Sequence, residues 1–428
     1  MEATLHPTTL RATRLRIGAE SAVALGSLAI VGLHVADDSF VQPEPGTSAL
    51  DHLPGGLAQL ALLGVAAVAY RRGRAGVQAT IALVAGLFAL VIGAASAGYQ
   101  TITVGPSGDD FTGLLVLPAA LALIGVGVIT LWRSRKLNDR RLWRYSRRAL
   151  ITVVAPILAY ASIAPLGFSY VITHVMRQTV PAADLGAAYE NVSFRTSDGL
   201  ELQGWYVPSK NGAAVIAFPG RSGTQTHTRM LVSHGYGVLL FDRRGEGKSE
   251  GDSNLLGWGG DKDIVAAVEF LKARPDVDPG KIGGLGLSVG GELMLQAAAE
   301  TDELAAVVSE GAGTRQLSEQ MEEFHGFERA LNAPGFLFVT AGTALFSSTA
   351  PPPNLTDVAP KITQPLFVIW APNGGNIEHM SREYHKLAGG PKQIWEMPTA
   401  EHVGGIRDQP REYERRVVGF FDRTLLAG

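Results

Sequence analysis

Five long apolar runs occupy the first 176 residues and constrain the fold more than any other feature: Ile17–Ala36, Leu53–Tyr70, Val77–Gly98, Phe111–Trp132 and Ala149–Met176. A helix of about 20 such residues crosses a hydrocarbon core of roughly 30 Å. Packed instead as soluble helices, five of them would leave no amphipathic face to meet water. The runs therefore predict membrane spans. Gly, Ala and Ser recur in them, as in "VAGLFALVIGAASAG", and small residues let helices approach closely in lipid, which predicts a compact bundle. No Asp, Glu, Lys or Arg sits deep in a run. Only Glu20 and His34 come near the ends. A transporter or proton pathway needs buried ionisable groups, so the bundle reads as an anchor or partner-binding module.

Charge in the connections sets the orientation. Arg11, Arg14 and Arg16 precede the first run, Arg71, Arg72 and Arg74 follow the second, and eight Lys or Arg residues from Arg133 to Arg148 separate the fourth from the fifth. The two intervening connections, "DDSFVQPEPGTSALDH" and "YQTITVGPSGDD", contain none. The positive-inside rule places the N-terminus in the cytoplasm of a multi-pass plasma-membrane protein, with everything past Met176 on the outer side. Loss of the fifth crossing would invert that side, whereas cleavage of the first run as a signal segment ending near Ala36 would not.

Composition bounds the chemistry. A formal net charge of -3 over 428 residues argues for neither a nucleic-acid surface nor an acidic tail. Zero cysteines rule out disulfides, thiolate metal sites and cysteine nucleophiles. There is no P-loop and no clustered ligand spacing, so no metal or organic cofactor is implied.

From about Tyr189 the pattern changes. "YENVSFRTSDGLELQGWYVPS" predicts two strands around a turn at Ser197-Asp198-Gly199. Short apolar strands then alternate with helices, from "AAVIAFPG" to a terminal helix around "REYERRVVGFFDRTLL". That alternation predicts a mostly parallel sheet with helices on both faces. The expected organisation is a transmembrane region over 1–176 and an α/β domain over 177–428, with an insertion at about 314–360.

Within this domain Ser288 follows the apolar strand "KIGGLGL" and precedes the helix "VGGELMLQAAA", so Gly286, Ser288 and Gly290 fit a G-x-S-x-G nucleophile elbow. Among 51 glycines the pattern alone is weak evidence; its strand-turn-helix setting gives it force. With "FPGRSG", "FDRRGEGKSEG" and "AEHVGG", the chain from about Tyr189 to the end resembles a serine α/β-hydrolase, close to the bacterial acyl-esterase and serine-aminopeptidase-like branches. The resemblance implies an α/β-hydrolase fold, Ser288 as nucleophile and His402, after the last strand, as general base. It also implies an oxyanion hole from the backbone N–H of Val289 and that of Arg221. Asp242, Arg243, Arg244 and Glu246 read as turn and ion-pair residues.

The acid is less direct. Where similar hydrolases carry an Asp after the seventh strand, this chain has "APNGGNIEH", with Asn373 at the expected place. Glu310, at the end of the sixth strand, is the first expectation for the acid, and Glu378, later in the glycine-rich loop, is the second. Glu310 could instead be a structural acid paired with Arg315. The insertion reads as lid helices over the pocket, or as an apolar face, "PGFLFVTAGTALF", resting on lipid. The functional expectation is a serine hydrolase acting on a small-molecule, lipid or peptide acyl substrate, either ester, thioester or amide. The alternative is a catalytically degenerate hydrolase scaffold that binds a partner or lipid. What separates the two is whether a carboxylate reaches the far ring nitrogen of His402.

Overall fold

The computed structural model describes residues 18–98, 101–102, 108, 110–133, 157, 161–175, 177, 180–321, 324–375 and 378–427. Four of its helices are long and apolar enough to cross a membrane. They are α1 (Ala19–Ala36), α2 (Leu53–Arg72), α3 (Ala75–Gly93) and α4 (Asp110–Arg133). The count is thus four among the described residues, against five runs in the sequence. The fifth run falls partly outside them, at 149–156, 158–160 and 176, as do the basic residues at 11–16 and 135–148. Its described part forms the shorter apolar helix α5 (Ala161–Thr173).

Small residues bring α3 and α4 together. A Cβ on Gly86 would strike Ile124 and one on Gly127 would strike Leu83, while Ala79, Ala82, Ala89 and Ala120 are fully buried between helices. The ends of the helices hold more polarity than the sequence suggests. His34, Asp37 and Asp110 are buried. Thr112 Oγ1 donates to Asp37 Oδ2 at 2.7 Å and meets His34 Nδ1 at 3.1 Å, and the Gln42 amide caps the same carboxylate. Such pairing is what makes burial of these groups tolerable.

The second part is one sheet of eight strands: β1 (Glu190–Arg195), β2 (Glu201–Val207), β3 (Ala214–Phe218), β4 (Gly237–Phe241), β5 (Ile282–Leu287), β6 (Ala306–Glu310), β7 (Leu366–Trp370) and β8 (Lys392–Glu396). Their spatial order is β1-β2-β4-β3-β5-β6-β7-β8. β1 and β2 form the hairpin expected around Asp198, with Arg195 opposite Glu201; β2 is antiparallel to β4, and the remaining pairs are parallel. The five central strands β3 to β7 are buried along their whole length, as strands covered on both faces must be. Helices α6 (Gln225–Ser233), α7 (Gly260–Lys272) and α8 (Val289–Glu300) join successive strands. Beyond β6 come α9 (Leu317–Met321) and α10 (Gly326–Phe346), then α11 (Met380–Leu387) and the terminal α12 (Pro410–Phe421).

The sheet domain docks on the helical bundle through its C-terminal edge. The loop after β4 supplies Gly251 N–H to Pro45 O at 2.7 Å, Leu255 N–H to Ile172 O at 2.8 Å and Ser253 Oγ–H to Val175 O at 2.8 Å. Arg177 joins Glu44 at 2.9 Å to the Ser249 and Gly251 carbonyls. The insertion adds α10. That helix is not buried within the sheet domain: only Gly342 and Thr343 are buried along it, and it lies against α5.

The loop itself is pinned by charge. Arg244 donates through Nε and Nη2 to Asp263 Oδ1 at 2.9 and 2.7 Å and through Nη1 to Asp198 at 3.0 Å, and its backbone N–H reaches Asp263 Oδ2 at 3.1 Å. Asp263 is completely buried. Removing one partner of a buried pair strands the other, at a cost of about 3–5 kcal/mol. Asp263→Ala is expected to lower the denaturant midpoint of the detergent-solubilised protein accordingly, and an unchanged midpoint would show that the ion pair does not stabilise the fold.

Candidate active site

Where β3 and β5 lie side by side, the chain goes from β3 out to β4 and then crosses back to β5. Loops at such a switch point diverge and leave a crevice above the C-terminal strand ends. Two segments flank it, Pro219-Gly220-Arg221 after β3 and Ser288 after β5.

Ser288 has φ 53° and ψ −125°, outside the regions open to an ordinary residue. Strain of this kind costs of order 1–3 kcal/mol and persists only where the surroundings impose it. Here the glycines impose it. A Cβ on Gly286 would run into the Gly290 carbonyl, one on Gly290 would lie 2.6 Å from the Phe218 carbonyl oxygen, and one on Gly291 would lie 2.8 Å from Ser309 Oγ. Strand and helix meet this closely only without side chains, and the serine is thrust out at the corner. Val289 follows as the first residue of α8, so its N–H belongs to the helix turn that has no intrahelical acceptor.

His402 Nε2 lies 2.8 Å from Ser288 Oγ, and His402 Nδ1 lies 2.8 Å from Glu378 Oε2. The serine, the imidazole and a carboxylate that is 2% exposed are thus in one hydrogen-bonded line. Glu378 reaches this place by folding back over the loop after β7. Its Oε1 accepts the Ala371 N–H at 2.7 Å, and its carboxylate fills the space that a Cβ on Gly374 would take. Asn373 takes no part; its amide donates to Pro398 O at 3.0 Å and ties the loop to the turn before His402.

Glu310, the first expectation from sequence, is corrected by this arrangement. Its Oε2 accepts the Tyr413 hydroxyl at 2.6 Å and its Oε1 the Gly405 N–H at 2.9 Å. Both oxygens are therefore committed to the loop and helix behind His402. Nor does Glu310 pair with Arg315, whose guanidinium donates to Gln296 Oε1 at 3.0 Å and to Leu256 O at 2.6 Å. The Arg221 expectation is corrected too. That N–H donates to Asp242 Oδ1 at 3.1 Å, the side chain donates to Asp242 Oδ2 at 2.9 Å, and the guanidinium stacks on Trp205, so the amide is already satisfied. Arg243 pairs with Glu246 in the same turn.

Three contributors escaped sequence reasoning. Tyr413 holds Glu310, and a tyrosine on the apolar side of a terminal helix carries no signal of that. Gly311, at φ +68°, lets the His402 ring lie flat on the strand end: a Cβ there would come 3.2 Å from Cε1. Val403, immediately after the histidine, sits at φ 46°, a costly conformation for a β-branched residue. The pair Gly374-Gly375 was the one legible hint that something folds into that loop.

Electrostatics follows the geometry. The Glu378 hydrogen bond holds the His402 imidazole above its ordinary value of 6.5, against burial, which lowers it. Burial raises the Glu310 carboxyl, opposed by the Tyr413 hydroxyl and the Gly405 amide.

Residues 176–368 match the family model of the X-Pro dipeptidyl-peptidase (S15 family), a stretch that contains Ser288 and stops short of Glu378 and His402. The uncharacterized protein YfhR of Escherichia coli (strain K12) is 28% identical over 256 residues, covering 55% of this chain and 81% of that protein. The uncharacterized protein MT2364 of Mycobacterium tuberculosis is 30% identical over 202 residues, covering 45% of this chain and 60% of its own. Among solved structures, the Pyrococcus furiosus esterase Pf2001 is 22% identical with a TM-score of 0.46, covering 58% of this chain and 98% of that one.

The two carboxylates make separable predictions. Glu378→Gln is expected to lower the His402 pKa followed by imidazole NMR, because the largest cause of its elevation is removed. Glu310→Gln should leave that pKa near wild type and lower the melting temperature instead. The reverse pattern would return the acid to Glu310.

Proposed function

We propose that this chain, a serine hydrolase of the α/β-hydrolase superfamily, is anchored in a membrane by its N-terminal helices and cleaves a carboxylic ester, thioester or amide through an acyl-enzyme. The single observation that carries this reading is the unbroken line Ser288 Oγ to His402 Nε2 to Glu378, with 2.8 Å at each step. A serine hydroxyl is a poor nucleophile at neutral pH and needs a base in hydrogen-bond contact. Here the base is present, and the carboxylate that a degenerate scaffold would lack is on its far nitrogen.

In the first half-reaction Ser288 Oγ bonds to the acyl carbon while its proton passes to His402 Nε2. Glu378 keeps Nδ1 protonated and stabilises the imidazolium. The oxygen that becomes negative is met by the Val289 N–H at the start of α8, where the helix dipole adds positive potential. The bond to the leaving group then breaks, and that group departs with the proton from Nε2. Water repeats the sequence: its proton goes to Nε2, its oxygen bonds to the acyl carbon, and the carboxylic acid leaves as Ser288 recovers its proton. The charge pattern of the connections supports a cytoplasmic N-terminus and a hydrolase domain on the outer side.

A fluorophosphonate probe tests the reading on the purified full chain. Wild type should label and Ser288→Ala should not. Glu378→Gln should slow labelling by up to about ten-thousandfold, the cost of neutralising the acid in a serine-protease triad, while Glu310→Gln stays within roughly tenfold of wild type, a much smaller loss than that of a triad member. Wild type that fails to label alongside a reactive control hydrolase would overturn the enzyme reading. The pH dependence has a definite sign. His402 must be neutral to accept the proton, and its pKa is raised above 6.5, so the rate should climb with pH through a midpoint above that value. In residual Glu378→Gln activity the midpoint should move down. A wild-type profile flat from pH 6 to 8 would speak against His402 as the base.

A further inference from the structure

The catalytic edge of the sheet faces the helical bundle, and the insertion that leaves this edge builds an apolar groove against α5. The loop after β4, which carries the bundle contacts at Gly251, Ser253 and Leu255, continues to Gly257, where a Cβ would lie 2.9 Å from the Val289 side chain next to the nucleophile. The insertion, which also leaves the sheet at its catalytic edge, sends α10 alongside α5. The two helices advance together in one direction: Gly335 faces Pro165, Ser169 Oγ–H donates to Val339 O at 2.9 Å, and Phe346 packs on Tyr170 with ring centroids 5.5 Å apart.

Between α5 and α10 lies a groove of about 800 Å³, within the range that holds an extended small ligand. Ile157, Ala164, Phe168, Leu331, Phe336 and Val339 line it, and among the described residues no charged side chain does. At the hydrolase end its wall is Leu317 and Gln320 of α9. That short helix begins two residues after Arg315, whose guanidinium grips Leu256 beside the elbow. Apolar side chains are also exposed on the groove's own helices and on the spans. Phe327, Leu331, Leu337 and Phe338 of α10, Phe168 of α5, Leu87 of α3 and Leu57 of α2 are all exposed. Phe346 stacks on Phe88 of α3 at 6.0 Å, and Leu345 O lies against Gly55 of α2. Exposed apolar surface on this scale marks contact with lipid or a partner, and Phe168 and Leu331 belong both to it and to the groove lining.

Building on the hydrolase reading above, we propose that the substrate is a long-chain acyl ester resident in the bilayer, entering sideways so that its acyl chain lies in the α5/α10 groove and its ester carbonyl reaches Ser288. The bond cleaved is the acyl C–O bond. The alcohol portion leaves with the proton from His402, and water releases the fatty acid.

The test uses the full chain reconstituted in phosphatidylcholine vesicles with two esters of one fluorogenic alcohol, 4-methylumbelliferyl acetate from water and 4-methylumbelliferyl palmitate within the bilayer. Wild type should cleave the palmitate with at least tenfold higher kcat/KM. Gly335→Trp and Ala164→Phe fill the groove from opposite walls. Each should cut palmitate turnover at least tenfold and leave acetate turnover within twofold, and having two variants guards against one that fails to fold. Acetate cleavage without palmitate cleavage, or groove variants that alter neither ester or both equally, would overturn this inference alone. Cleavage of neither ester, at the level of Ser288→Ala, would overturn the hydrolase reading with it.

Discussion

The approach of helix α8 to strand β5 is the constraint from which the site follows. Gly286 of β5 and Gly290 and Gly291 of α8 let the helix come so close to β5, β3 and β6 that a single methyl group at any of them would collide with a carbonyl or a neighbouring side chain. The strained conformation of Ser288 is the geometric consequence, and so is the position of the Val289 amide at the mouth of a helix. Everything else is arranged around that fixed corner. The histidine loop is drawn in by Glu310 and Tyr413, the β7 loop folds inward to present Glu378, and Gly311 leaves room for the ring between them.

The two buried glutamates show how similar groups take different work from their mountings. Glu310 sits at a rigid strand end, which is a good platform, yet its oxygens are taken by a phenol and an amide that hold the loop of His402. Glu378 sits in a loop, which is a poor platform until its second oxygen is anchored on the Ala371 N–H. That anchor fixes the direction of the carboxylate. Position along a strand was a weaker guide than the count of unclaimed lone pairs.

This difference explains how far the sequence could be read. Four apolar runs are visible as full-length helices because crossing lipid demands length and composition together, and both are local properties. The elbow is visible because its glycines are contiguous. Ser288 and His402 stand at strand ends, where chain order alone suggests their proximity. The choice between Glu310 and Glu378 was not legible, since it depends on a loop reversing over Gly374 and on Tyr413 arriving from 103 residues away to claim Glu310. Arg221 misled for a related reason. Its amide is claimed by Asp242, which reaches it only because β4 lies directly beside β3 in the sheet.

The docking of the sheet's C-terminal edge on the bundle has a consequence for modularity. Backbone partners of the loop over the nucleophile, Pro45 O, Ile172 O and Val175 O, belong to the helical part of the chain rather than to the hydrolase domain. The helical part of the chain therefore holds a loop that packs beside the nucleophile elbow, and is more than a tether. Separation at the junction would leave the Gly251 and Leu255 amides and the Ser253 hydroxyl without these partners. The same seam that joins the two parts would make them evolve as one unit.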